Sequence, residues 1–260
     1  MSVIADFNLY HFSNCTETKD TACPQCVVSR ASAGKMHPIR DREHRATFFY
    51  SLGIDPESVV SVAQTHSRIV YSAHSSEEFS SFPKGDGILT RNRHLIPCVT
   101  VADCMPIFLY DPVSGCFGVL HSGWKGTGII QDALELAGRE WSALPANFRV
   151  IFGPHIHSCC YTVDSERADY FRTNFGESCI QVDPERMQNG NRWAYRLSLA
   201  EANRNLCISL GISPGYIIDT GECTACNSIF GSNRREGVDS FTHMAALIMF
   251  PYAENEFVAY

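Results

Sequence analysis

No run of eighteen apolar residues occurs in this 260-residue sequence, so nothing in it reads as an ordinary membrane-spanning helix. Positive charge is scarce, with 21 Lys and Arg against 28 Asp and Glu and a net charge of −7. That sign disfavours the phosphates of nucleic acid and the headgroups of anionic membranes, and a small molecule is the expected partner. The opening MSVIADFNLYHFSN lacks both the basic and the apolar region of a secretory leader, so a cytoplasmic location is expected. A Gly-x-Gly-x-x-Gly motif is missing, which removes the usual sign of a dinucleotide fold.

Cysteine and histidine, by contrast, are plentiful at 12 and 10 residues. Without other marks of a secreted disulfide scaffold, so many cysteines point to a reducing compartment. Two Cys-x-x-Cys pairs, Cys23 with Cys26 and Cys223 with Cys226, invite a structural zinc site. Zinc ribbons bring their second pair in within roughly fifteen to twenty residues, however, and these pairs lie at opposite ends of the chain. Neither pair opens a βαβ helix, which argues equally against a redox role. With 45% hydrophobic residues the chain can bury a large core, and one domain over 1–260 is expected.

Periodicity places a helix over IRDREHRATFFYSLGI, with Ala46, Phe49, Tyr50 and Leu52 on one face and Gly53 as its stop. Before it, residues 14–38 are polar, cysteine-bearing and aperiodic, and read as a long irregular loop. Strands are expected near 58–63, 86–90 and 96–102, with GDGILT read as a Gly-Asp-Gly turn entering the second of them, then a hairpin of 107–110 and 116–120 around the turn DPVSG. Ile129, Ile130, Ala133, Leu134, Leu136 and Ala137 describe the apolar face of a helix of about four turns. Beyond it follow strand FRVIFGP, turn HIHSCC, strand YTVD, helix SERADYFRTNF, strand CIQVD, helix LSLAEANRNLCISLGI and strand YIIDTGECT. A loop, IFGSNRREG, and a last helix, HMAALIMF, complete the expected order. Helices mixed with mostly antiparallel strands, and no strict βαβ alternation, give an α+β class.

Three side chains with metal-ligating chemistry fall at the ends of apolar strands: His66 in AQTHS, Cys104 in VADC and His121 in GVLHS. Catalytic zinc takes three protein ligands and leaves the fourth position open, and one thiolate with two imidazoles fits. The hairpin brings Cys104 and His121 together although seventeen residues separate them. Spacing alone leaves this set and a buried inert Cys with two ordinary histidines both open. Gly126 and Thr127 open the following helix beside Lys125, as either an anion site or a plain strand-to-helix turn. Asp103 reads as an orienting carboxylate or base and Gln64 as a substrate-facing amide, each with a structural alternative as a turn or capping residue. Tyr161 and Asp219 read as structural, and His155 and His157 stand as tempting further ligands.

The ordered motifs AQTHS, GDGILT, VADCMPIFLYD, GVLHSGWKGT, FGPHIHSCCYTVD, DTGECT and FGSNRREG, over roughly 46–250, resemble the laccase-domain family. Its members were first labelled multicopper polyphenol oxidases and later assigned as purine nucleoside phosphorylases with adenosine deaminase activity. The resemblance implies a four-layer α/β/β/α sandwich with largely antiparallel and mixed sheets. It further implies one catalytic zinc on His66, Cys104 and His121, no ligand at His155 or His157, and substrate or phosphate groups near Lys125, Arg234 and Arg235. The implied chemistry is phosphorolysis of adenosine, inosine, guanosine or methylthioadenosine to base and ribose 1-phosphate, with hydrolytic deamination of adenosine. Three positions depart from the family's cations, with Asn14, Lys125 and His243 where it carries arginine. Alternatives are a thiol hydrolase with Cys104 as nucleophile and His121 as base, a copper-dependent phenol oxidase, and a non-catalytic binding module. The His-x-His series a trinuclear copper cluster needs is not there.

Overall fold

The computed structural model describes residues 6–12 and 23–251. Two sheets lie face to face. The first contains β1 (Phe7–His11), β2 (Gln25–Ser29), β3 (Val59–Ser61), β6 (Ile96–Val101) and β14 (Met244–Met249), in the order β1-β2-β14-β6-β3. The second contains β4 (Val70–Ala73), β5 (Gly87–Thr90), β7 (Met105–Tyr110), β8 (Phe117–Ser122), β9 (Arg149–Phe152) and β13 (Ile217–Asp219), in the order β13-β9-β7-β8-β5-β4. A small third sheet holds β10 (Thr162–Val163), β12 (Tyr195–Leu197) and β11 (Ile180–Val182). Pairing is antiparallel except for β3 with β6, β4 with β5 and β13 with β9.

Side-chain alternation assigns the layers. On β6 and β14, Val99, Val101, Ala246 and Ile248 meet Phe108, Phe117 and Val119 of the second sheet. The intervening Cys98 and Leu247 face the other way, onto Phe48 and Phe49 of α1 (Arg42–Ser51). On the far side, Ile107, Leu109 and Leu120 pack against α2 (Ile129–Trp141), α3 (Ser165–Phe175) and α5 (Leu199–Ser209). The result is the expected α+β, four-layer α/β/β/α sandwich. Because both sheets are covered on both faces, β6, β7 and β8 are buried along their whole length and read as mostly apolar runs, interrupted only by Thr100 and by His121 and Ser122 at the end of β8. No helix among the described residues is long and apolar enough to cross a membrane.

Four expectations change. HMAALIMF is not a helix, because Met244–Met249 is β14, paired on both edges with β2 and β6. Ala, Leu and Met favour helix, but a six-residue run with apolar groups on every side carries no period, and pairing between two strands decides it. Within 14–38, Gln25–Ser29 is likewise a strand, hidden because CVV is buried on both faces; residues 14–22 lie outside the described part. On α1 the inward face is Arg45, Phe48 and Phe49, while Tyr50 is exposed. Arg45 points inward because its guanidinium donates to Ser61 Oγ at 2.7 Å and Cys98 Sγ at 3.0 Å. The polar stretch after β11 also holds a short helix, α4 (Pro184–Gln188), and β12. The face expected for α2 is buried at all six positions, and the β7–β8 hairpin sets Pro106 opposite His121 and Met105 opposite Ser122.

Candidate metal centre and its cavity

The β7–β8 register carries Cys104, just before β7, to the side of His121 on β8, and the turn after β3 swings His66 over both. Their ligand atoms lie within 4.8 Å of one another. Burial is graded, with His66 exposed at the mouth, Cys104 half-buried and His121 at the floor. Gly123 makes the approach possible: a Cβ there would stand 2.8 Å from Cys104 Sγ and 3.3 Å from His66 Cδ2.

A single buried carboxylate organises the set. Asp86, just ahead of β5, accepts a 2.8 Å hydrogen bond from His121 Nδ1, which leaves Nε2 for the site. It also accepts from the backbone N–H groups of Thr65, His66 and Ser67 at 3.2, 3.0 and 2.6 Å, and from the Ser67 hydroxyl at 2.7 Å. These bonds hold His66 at a left-handed φ of 58°, a conformation a non-glycine residue keeps only when its surroundings impose it. Burial pushes the Asp86 carboxyl up, but the hydrogen bonds from His121 and Ser67 outweigh it and the pKa falls below the usual carboxylate value.

Cys104 and His121 titrate as a pair. Burial raises the Cys104 thiol, yet the His121 charge and hydrogen bonds from His121 and His66 bring it below its ordinary value. Burial lowers His121, and the Cys104 charge with the Asp86 hydrogen bond lifts it above its ordinary value. Lowered to about 6, the Cys104 thiol favours its thiolate form near neutral pH. Thiolate plus two imidazoles, one held by a carboxylate behind it, is a donor set that fits a zinc-type ion with one position open.

A cavity of about 650 Å³ opens from these three residues and is lined in part by Trp124, Lys125, Tyr161, Arg234, Phe241 and His243. That volume lies within the ~300–1,000 Å³ typical of small-ligand sites. Lys125 is exposed on its wall, 5.5 Å from the Trp124 ring centroid. Helix α2 itself begins only at Ile129, and its first turn carries Asp132, bridged to Arg68 at 2.5 Å, so its start is already engaged by an ion pair. Arg234 Nη1 donates to the Cys160 carbonyl at 3.0 Å, and its guanidinium carbon lies 5.9 Å from the Tyr161 ring centroid.

The other expected contacts are engaged elsewhere. Gln64 lines the cavity, but its amide is closed on Thr100, donating to its carbonyl and accepting from its N–H and hydroxyl at 2.7–2.8 Å. Asp103 does not orient a site histidine. At φ 81° its carboxylate accepts from Thr224 Oγ1 at 2.7 Å and the Arg234 N–H at 2.6 Å, tying two loops to the cavity floor. Arg235 turns away and donates to the carbonyls of Thr224, Ala225, Asn227 and Phe230. His243 faces His37 and Phe241 in the cavity wall, and Asn14 lies outside the described residues.

Sequence reasoning missed Asp86, which it took for the middle of a Gly-Asp-Gly turn. The available signal was a charged residue opening a fully apolar strand, where an ionised group survives only with partners. His155, His157 and Asp219, set aside in the sequence, form a second group whose ligand atoms lie within 4.8 Å of one another. Cys223 and Cys226 gather with Cys159 and Cys160, while Cys26 is buried in β2.

A family model described as "Multi-copper polyphenol oxidoreductase laccase" matches residues 37–251. The chain is 31% identical over 211 residues to the purine nucleoside phosphorylase YlmD of Bacillus subtilis strain 168, covering 76% of this chain and 72% of that protein. It is 29% identical over 212 residues to the adenosine deaminase RL5 of an unknown prokaryotic organism, covering 78% and 79%. The crystal structure of the Bacillus licheniformis hypothetical protein YfiH superposes with a TM-score of 0.76 at 27% identity, covering 88% of this chain and 93% of that one. With a family model matching residues 37–251 and a relative 31% identical over most of both chains, the chain belongs to the multi-copper polyphenol oxidoreductase laccase family.

Proposed function

We propose that the chain is a zinc-dependent purine nucleoside phosphorylase that also deaminates adenosine. The observation that carries this reading is the convergence of His66, Cys104 and His121 on one wall of a ligand-sized cavity, with a buried carboxylate behind one imidazole. The names of the relatives supply the substrate class. His66, Cys104 and His121 are the residues suited to hold zinc, which supplies Lewis-acid polarisation of a water or phosphate oxygen when bound. Asp86 fixes the His121 tautomer and ring plane. Lys125 and Arg234 supply positive charge for phosphate, Arg234 with the planar fork that matches two oxygens. Trp124, Tyr161 and Phe241 offer flat faces to a purine. Zinc is favoured over a laccase-type copper centre by the donors: no metal-capable group among the described residues contains more than two histidines.

A thiol hydrolase is the second reading, favoured by one observation. Cys104, His121 and Asp86 stand in the order nucleophile, base and orienting carboxylate.

Metal content and turnover of adenosine with and without phosphate, measured on wild type and Cys104→Ala, separate the two. Zinc in the wild type, its depletion in the variant and parallel loss of turnover support the first reading. Turnover by chelator-stripped wild type that is abolished in Cys104→Ala overturns it in favour of the second.

A further inference from the structure

Four cysteines from two distant stretches meet about a single point on the surface. Cys159 and Cys160 follow β9 in the turn HIHSCC, and Cys223 and Cys226 follow β13 in GECTAC. Parallel pairing of β9 with β13 brings these two turns side by side at the same end of the sheet. The closest Sγ pairs are Cys160 to Cys226 at 3.3 Å, Cys159 to Cys226 at 3.6 Å, Cys159 to Cys223 at 3.7 Å and Cys159 to Cys160 at 3.8 Å. All four sulfurs lie within 4.8 Å of one another.

We propose that Cys159, Cys160, Cys223 and Cys226 form a second, structural metal site that takes a mononuclear thiophilic divalent ion, zinc above all, through four thiolates. Four thiolates at ~2.3 Å from one zinc stand ~3.8 Å apart along the edges of a tetrahedron, and the four shortest separations here fall about that value. A disulfide needs its sulfurs at ~2.05 Å, far closer than these. An iron–sulfur cluster places its own iron and sulfide atoms between the thiolates and holds them wider than this group.

Two further features favour charged sulfur. The backbone N–H groups of His157, Ala225 and Cys226 donate to Cys223 Sγ, a Cys-x-x-Cys loop folded around its first thiolate. Three guanidinium groups hold the carbonyls of the same two turns: Arg196 on Cys159, Arg234 on Cys160 and Arg235 on Thr224. Zinc with four thiolates carries a net charge of −2; Arg196 and Arg235 are each paired with a carboxylate, Asp183 and Glu236, and Arg234, in no ion pair among the described residues, is the cation beside the group that offsets part of it. Binding displaces the four thiol protons to solvent, with no oxidant or reductant required. Since Arg234 is anchored on Cys160, the site fixes one wall of the neighbouring cavity while leaving no coordination position open for chemistry.

The test uses Cys104→Ala, which lacks the thiolate of the other centre. The protein is purified reduced, loaded with zinc salt, desalted and examined for metal content and by X-ray absorption at the zinc edge. About one tightly held zinc per chain with only sulfur neighbours is expected, lost on adding Cys223→Ser with Cys226→Ser. If that triple variant does not fold, a mercurial titrated into Cys104→Ala must release its zinc in step with the modified thiols. The proposal is overturned if Cys104→Ala retains no zinc, if its zinc has nitrogen neighbours, or if peptide mapping finds a disulfide among Cys159, Cys160, Cys223 and Cys226. Turnover plays no part in this readout, so its outcome is independent of the proposed activity.

Discussion

The two sulfur-bearing centres differ in what holds them and in what they leave open. His66, Cys104 and His121 come from strand ends gathered around one buried carboxylate, provide three donors and face a cavity. Cys159, Cys160, Cys223 and Cys226 come from two adjoining turns and provide four donors at the surface. Three donors with an open side make a site for chemistry, and four make a clamp. Strain follows the same division. The left-handed backbone at His66 and Asp103 sits beside the cavity, whereas the four cysteines all have negative φ.

Substitution of the two centres should have opposite signatures. Cys223→Ser with Cys226→Ser should give the largest change in stability. A loss of about 3 kcal/mol, within the range for removing a structural cross-link, lowers Tm by roughly 6–12 °C, readable by calorimetry. Cys104→Ala should abolish turnover with far less effect on Tm. Equal stability effects of the two substitutions would break the comparison. Asp86→Asn comes next. It keeps the shape but removes the charge behind His121, and a loss of about 10–100-fold in zinc affinity or activity is expected from competition with a chelator and from initial rates.

The two adjacent arginines sharpen the division further. Arg234→Ala should raise the KM for phosphate, since its guanidinium borders the cavity. Arg235→Ala should leave that KM near wild type and lower Tm, since its guanidinium serves four backbone carbonyls. Steady-state kinetics and thermal melts on both variants decide this.

The smallest effect concerns acid. Burial, then the charge of His157, lowers His155 to about 4; burial, then the charges of His37 and Arg40, lowers His243 to about 4. Both are neutral in the fold, while the unfolded chain binds their protons near 6.5. Their stabilising contribution is therefore complete above pH 6.5 and declines as pH falls toward 4. Chemical denaturation at pH 7, 6 and 5 should show this decline, and His243→Gln should flatten part of it.

Much of the fold was legible in the sequence wherever one face was buried and one solvated. The six apolar positions of α2 repeat at helical spacing, and DPVSG marks the hairpin that joins Cys104 to His121. Two-sided burial alone did not defeat the reading, since β6, β7 and β8 were expected as strands; it failed where such a run is also rich in helix formers, as in β14, or set in a polar, cysteine-bearing stretch, as in β2. The runs MAALIM in β14 and CVV in β2 lie between a helix layer and a second sheet, so no period survives in them. The candidate metal triad was readable because its residue types are rare and each ends an apolar strand. Asp86 was not, because a carboxylate in a Gly-Asp-Gly turn looks like any other turn aspartate until His121 is placed against it. The four-cysteine group was hidden for a related reason. Only the parallel pairing of β9 with β13, invisible in local sequence, brings Cys159 and Cys160 to Cys223 and Cys226.

The proposed purine-nucleoside chemistry of the three-donor centre is readable in its products. Its most direct test is chromatographic analysis of adenosine incubated with zinc-loaded protein, with and without phosphate, beside the Cys104→Ala control. Adenine and ribose 1-phosphate are expected only when phosphate is present, inosine without phosphate and inosine with its cleavage product hypoxanthine when phosphate is added, and none of these from the variant. Unchanged adenosine in every wild-type sample, from protein shown to hold zinc on His66, Cys104 and His121, would contradict the proposed chemistry.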